Sequence, residues 1–98
     1  MRILSECSGF DWDHGNIQKN WIKHNVSPVE CEQAFFNETL IIVDDPKHSA
    51  AEKRYTAFGR TDTGRLLVMI FTRRDMFLRV ISARDMNRRE RKFYEENK

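Results

Sequence analysis

The sequence predicts an α+β domain with two N-terminal helices, a mainly antiparallel sheet of at least four strands and one C-terminal helix. Three observations carry this expectation. Two capping signals, Ser27-Pro28-Val29-Glu30 and Asn87-Arg88-Arg89-Glu90, mark helix starts at opposite ends of the chain. The runs Leu66–Phe71 and Phe77–Arg84 are apolar on both faces, as strands inside a covered sheet must be. Short turns join the later strands, and strands joined that way pair antiparallel.

Asp13 is a candidate N-cap for a helix over residues 14–24, with Ile17, Trp21 and His24 on one face. Asn25 follows as a left-handed stop. In the second signal, Ser27 caps, Pro28 takes the first helical position, Glu30 closes a capping box, and Val26 and Cys31 form a hydrophobic staple. That helix should run to Phe36 and stop at Asn37. Gly9–Trp12 reads as a short strand, with Trp12 as a core or wall residue. Thr39–Val43 is a strand, Asp44–Glu52 a polar loop, Lys53–Arg60 a second strand and Thr61–Gly64 a turn. Leu66–Phe71 should be the central strand, and Arg73-Arg74-Asp75 should turn the chain into Phe77–Arg84. The last helix runs from Asn87 to Glu96, docked on the sheet by Phe93 and Tyr94.

Strict alternation along the last strand puts Phe77, Arg79, Ile81 and Ala83 on one face and Leu78, Val80, Ser82 and Arg84 on the other. Because both faces are mostly apolar, both should be covered. Arginine in such a strand is either locked to a carboxylate or held ready for an anion. Arg79 and Arg84 can share one site only if the strand bends near Arg84.

A chain of 98 residues suits a single domain, and 40% apolar with 33% charged residues supports a modest core under a solvated surface. No apolar run reaches the roughly 20 residues of a membrane span, and the acids of residues 1–15 do not fit a signal peptide. Cys7 and Cys31 match no metal spacing and are too few for a disulfide framework, which points to reduced thiols and a cytoplasmic location. Residues 1–59 hold six Lys/Arg against nine Asp/Glu, net −3, and residues 60–98 hold eleven against six, net +5. A basic C-terminal half suggests an anionic partner, nucleic acid first, or else a charged solvated surface.

No phosphate loop, nucleophile elbow or metal-ligand motif is present, and His14, His24 and His48 are too scattered for zinc. Lys23, His24, His48, Glu52, Arg54, Arg73, Arg79, Arg84 and Tyr94 remain. Such a set can cleave RNA without a metal or other cofactor: a base takes the 2′-hydroxyl proton, an acid protonates the 5′-oxygen, and cations surround the phosphate. Each also has a structural alternative. His24 can cap or pack, His48 and Lys23 can be solvated, Glu52 can pair with Arg54, and Tyr94 can belong to the core.

Trp12-Asp13, Asn20, Lys23-His24, Phe35-Phe36, Asp45-Pro46-Lys47-His48-Ser49, Glu52, Arg54-Tyr55, Gly59, Gly64-Arg65-Leu66-Leu67, Arg79–Arg84 and Arg89-Glu90-Arg91…Tyr94 stand in a characteristic order. Over about residues 10–95 this series resembles the BrnT family of bacterial toxins. Asn25 stands where that family usually has Gly, Asp85-Met86 replaces a small residue, and residues 1–8 precede the likeness. The resemblance implies a RelE-like ribonuclease fold and an RNA-cleaving toxin that inhibits translation. It also implies a cognate BrnA-like antitoxin, with operator DNA bound only through the toxin–antitoxin pair. Carried over by position, Lys23, His24, Glu52, Arg54, Arg73 and Arg84 are the site candidates. Glu52 would be the general base, His24 or Lys23 the acid, and Arg54, Arg73 and Arg84 would hold phosphate. The alternative is a non-catalytic RNA- or antitoxin-binding module of the same fold.

Overall fold

The computed structural model describes residues 7–48 and 52–98. Ser49 and the middle of the 44–52 loop lie outside them, as do residues 1–6. The elements run β1 (Gly9–Phe10), α1 (His14–His24), α2 (Pro28–Phe36), β2 (Ile41–Asp44), a 3₁₀ turn (Pro46–His48), β3 (Arg54–Arg60), β4 (Leu66–Arg74), β5 (Phe77–Asp85) and α3 (Arg88–Asn97). The sheet order is β1-β5-β4-β3-β2. All neighbours pair antiparallel except β1, which lies parallel to β5. The expected mainly antiparallel sheet thus gains a short parallel edge strand.

The helix ends follow their local chemistry. Asp13 caps α1, its carboxylate accepting from the Asn16 N–H at 3.0 Å, and Asn25 ends the helix in the left-handed region at φ 55°. Ser27 and Glu30 form the expected reciprocal capping box on α2, and Asn87 and Glu90 form another on α3. Val26 and Cys31 flank the Ser27 cap, and both are buried in the main core.

That core lies between the α1–α2 corner and one face of the sheet. Val26, Cys31, Ala34 and Phe35 pack on Ala57, Leu67, Met69, Phe71, Leu78, Val80 and Ala83. The Phe35 and Phe71 rings meet edge-on at 5.1 Å. Burial pushes the Cys31 thiol up to about 12, so it packs as a small neutral apolar group. Asn20, buried on α1, accepts from the Ala83 N–H at 3.2 Å and satisfies a backbone donor of β5. A smaller core on the other face joins Phe58, Val68, Met86 and Tyr94, with Ile41 and Leu66 against it. Tyr94 is fully buried and hydrogen-bonded to Thr39, which puts it in its structural role. Among the described residues, α3 packs on this second face at its Phe58–Val68 end, so of the two faces expected to be covered this one carries a helix over part of its length. No helix among the described residues is long and apolar enough to cross a membrane.

One boundary and one register also differ from expectation. Arg73 and Arg74 continue β4, and the chain reverses at Asp75, which adopts φ 54°. In β5, Ile70 faces Ser82 while Phe71 faces Val80, so Ile81 has no counterpart on β4. This bulge reverses the alternation in mid-strand.

Gly59 sits where α2 crosses β3. A Cβ there would lie 2.7 Å from the Ala34 carbonyl oxygen and 3.0 Å from the Ala34 Cβ. Gly59→Ala is expected to cost about 1–3 kcal/mol by forcing the helix off the strand. Thermal melts check this, and an unchanged melting temperature would show that α2 can shift freely.

Candidate functional site

Residues directly opposite on neighbouring strands point to the same face of a sheet. Arg54 faces Thr72, and Thr72 faces Arg79, so these three form one row across β3, β4 and β5. Two residues along β4, the next row on this face is Val43, Thr56, Ile70 and Ser82. The row after that is Ile41, Phe58, Val68 and Arg84. Arg54, Arg79 and Arg84 therefore share the face that α1 and α2 leave uncovered. Without the bulge at Ile81, Arg79 and Arg84 would point to opposite sides, as strict alternation predicts. Arg54 and Arg79 stand two strand spacings apart, about 10 Å.

Each arginine of β5 is held by carboxylates. Arg79 donates to Asp13 at 2.7 Å and to Asp11 at 3.3 Å. Asp13 also caps α1, so one carboxylate ties the helix start to the site. Its carboxyl lies below the usual range, chiefly through the Asn16 N–H bond, with the Arg79 charge adding to it. Arg84 makes a two-pronged bond to Glu90 at 2.7 and 2.8 Å and donates to the Asp85 carbonyl at 3.1 Å. Glu90 in turn accepts from the Asn87 N–H at 2.8 Å, so Arg84 is clamped to the first turn of α3.

At the far end of this face Glu52 reaches Arg74, both contacts at 3.4 Å. This ion pair holds Glu52 against the end of β4. The register sends Arg73 to the helix-covered face opposite Leu78, where its Nε donates to the Asp75 carbonyl at 3.0 Å. Arg73 accordingly does not join Arg54 and Arg84 in one phosphate cradle.

The structure also separates Glu52 from Lys23 and His24. The His24 carbonyl accepts from Arg65 at 2.9 Å, and Arg65 also grips Asp85, which pairs with Leu67. Glu52 instead lies beside Arg74. From Leu67 to Arg74, β4 spans roughly 23 Å. A base and an acid serving one phosphate must both come within hydrogen-bond reach of it. Glu52 and His24, or Glu52 and Lys23, do not meet that condition together.

Arg65 is the residue that the sequence reading left out of the site. Its guanidinium donates to Asp85 at 2.7 and 3.1 Å, to Glu30 at 3.0 Å, and to the carbonyls of Asn25 and His24 at 2.7 and 2.9 Å. It joins the end of α1, the start of α2 and the end of β5. In the sequence Arg65 stands within the family-like segment Gly64-Arg65-Leu66-Leu67, but no local pattern names its partners, which lie 20 to 41 residues away.

These pairs set an acid limit. The Arg65 bonds hold the Asp85 carboxyl below its usual range, and the Arg84 bonds do the same for Glu90. Burial pushes Glu30 up but is outweighed by the Ser27 and Arg65 bonds. Depressed carboxylates mean that the unfolded chain binds more protons as the pH falls. Their stabilisation is full above the unfolded carboxylate values of about 4 and is lost as pH drops through the folded ones. The melting temperature is expected to fall below about pH 4, less steeply in Glu90→Gln than in wild type. Parallel slopes in pH-dependent melts would remove Glu90 from this account.

A family model of the BrnT ribonuclease toxin of type II toxin–antitoxin systems matches residues 12–90. The chain belongs to the BrnT family. That membership brings an antitoxin protein as partner. The 1.1 Å crystal structure of the Brucella abortus ribonuclease toxin BrnT is similar in fold, with a TM-score of 0.62 and 22% identity. The match covers 82% of this chain and 97% of that one. No curated protein matches. The BrnT match takes in the rows of Arg54, Arg79 and Arg84, and it ends at Glu90.

Proposed function

We propose that this BrnT chain is a metal-independent endoribonuclease with a RelE-like fold, binding RNA along the sheet face opposite α1 and α2. The observation that carries the reading is the β5 bulge, which gathers Arg54, Arg79 and Arg84 on that one face. Three guanidiniums on a face that ends in a carboxylate, Glu52, suit a polyanion whose backbone is to be attacked. In this reaction the 2′-oxygen forms a bond to phosphorus as the bond to the 5′-oxygen breaks. Glu52 accepts the 2′-hydroxyl proton, Arg54 and Arg79 stabilise the phosphate oxygens, and water supplies the proton to the departing 5′-oxygen. Translation stops through loss of message, and a BrnA-like antitoxin neutralises the toxin by covering this basic face. Operator DNA is met only through the antitoxin.

The runner-up is a non-catalytic RNA- or antitoxin-binding module. It draws on the carboxylate partners that already hold Arg79 and Arg84.

Purified protein is expected to cleave single-stranded RNA in EDTA and to leave a 2′,3′-cyclic phosphate, or its 3′-phosphate product, and a 5′-hydroxyl. Glu52→Gln should slow cleavage about 10²-fold or more with an unchanged melting temperature. Activity that vanishes with chelator and returns with a divalent ion would overturn the mechanism. A wild-type rate in Glu52→Gln would overturn the choice of base.

A further inference from the structure

Beside the arginine rows, α3 and the edge strand β2 enclose a crevice of about 420 Å³ lined by Val43, Phe58, Arg89, Glu90 and Phe93. Val43, Phe58 and Phe93 are apolar, and Arg89 and Glu90 complete the lining. Phe93 leans on Phe58 with ring centroids 5.0 Å apart, yet it stays 37% exposed, and Val43 stays 38% exposed. Tyr94, its neighbour on an otherwise polar helix, is fully buried and anchors α3. The exposed part of Phe93 is therefore not explained by docking the helix.

We propose that this crevice receives one unpaired nucleobase of the RNA, stacked on Phe93, with the adjoining phosphate directed to the arginine side. The inference rests on the ribonuclease reading above and adds a subsite to it. Three features favour a base over an apolar side chain of a protein partner. The crevice opens on the same sheet face as Arg54, Arg79 and Arg84, because Phe58 and Arg84 share one cross-strand row. Glu90 belongs both to its lining and to the Arg84 pair, so the crevice adjoins an arginine that can meet the phosphate next to a bound base. Arg89 is one of the lining residues, and an arginine there supplies a cation within side-chain reach of a bound base or its phosphate. An apolar side chain would be satisfied by the walls alone and would gain nothing from the arginines. Stacking of this kind tolerates any base, so the subsite adds affinity and positioning without strict sequence choice.

The test uses the full chain and a short 2′-O-methyl oligoribonucleotide, which cannot be cleaved, beside an abasic strand of equal length. Affinities are read by fluorescence anisotropy at one salt concentration. Wild type is expected to prefer the base-bearing strand by about tenfold. Phe93→Leu keeps an apolar contact with Phe58 but has no aromatic face. It should lose that preference while binding the abasic strand as wild type does, and Phe93→Trp should retain the preference. Equal melting temperatures for wild type and Phe93→Leu exclude a folding effect. A preference that survives in Phe93→Leu overturns the subsite. So does a Phe93→Leu variant whose only defect is weaker binding of the antitoxin, which would make the occupant a protein side chain. Wild type that cleaves RNA yet shows no preference for bases sinks the crevice alone. Wild type that neither binds nor cleaves RNA sinks the ribonuclease reading with it.

Discussion

Arg65→Met is expected to lower the melting temperature by roughly 10 °C or more. The side chain is one-quarter exposed and makes five hydrogen bonds, three of them to carboxylate oxygens. Removing it strips Asp85 and Glu30 of their counter-charge. It also leaves two carbonyls at the end of α1 without their donor. Breaking a fully buried pair costs about 3–5 kcal/mol. Partial exposure lets water take over some of these bonds, so about 2–3 kcal/mol is the expected loss here. In a domain of this size each kcal/mol moves the midpoint by about 4–8 °C. Arg65→Lys should recover only part of the loss, because an ammonium cannot bridge two carboxylates and two carbonyls in one plane. A shift below about 3 °C in Arg65→Met would mean that the α1–α2 corner holds without this hub.

Arg84→Lys is expected to cut RNA cleavage tenfold or more, on the order of 1.4 kcal/mol in the transition state. Its effect on folding should be about 1 kcal/mol or less, since the Arg84 side chain is 39% exposed and such pairs are worth little. Glu90 also keeps its bond to the Asn87 N–H, so the α3 cap survives the change. The two readings of this residue, structural pair or anion holder, are compatible in the geometry. The bonds to Glu90 and to the Asp85 carbonyl use three of the five guanidinium N–H groups, and the remainder can meet a phosphate. Glu90 fixes the orientation of the fork, and a lysine cannot reproduce that two-pronged geometry. Arg84→Ala should lose more activity still. Melts and cleavage rates measured on the same variants separate the roles. Activity lost only in proportion to unfolded protein would make Arg84 purely structural.

The elements themselves were legible because their signals are local. Ser27, Pro28 and Glu30 settle a helix start within four residues, since the cap bonds join positions three apart. Asn87 and Glu90 do the same for α3. The unbroken apolar run of β4 reports burial on both faces and so its central place in the sheet. Tyr55 and Phe58 pack into the cores on opposite faces of β3, as their odd spacing requires.

The site was legible only as a set of residue types. Alternation assigned Arg79 and Arg84 to opposite faces because it cannot count a residue that lacks a partner, and only the pairing with β4 exposes Ile81 as extra. Glu52, Lys23 and His24 are chemically apt for one reaction, yet β4 holds them at opposite ends of the sheet. No local pattern assigned Arg65 a role, because its partners come from three distant segments. Sequence alone determined which segments become helix or strand and that the C-terminal half is basic, because caps, periodicity and charge need only neighbouring residues. Which arginines share a face, which are clamped by carboxylates and which candidate acids and bases lie near each other were decided by tertiary structure, because those relations depend on strand register and on partners tens of residues away.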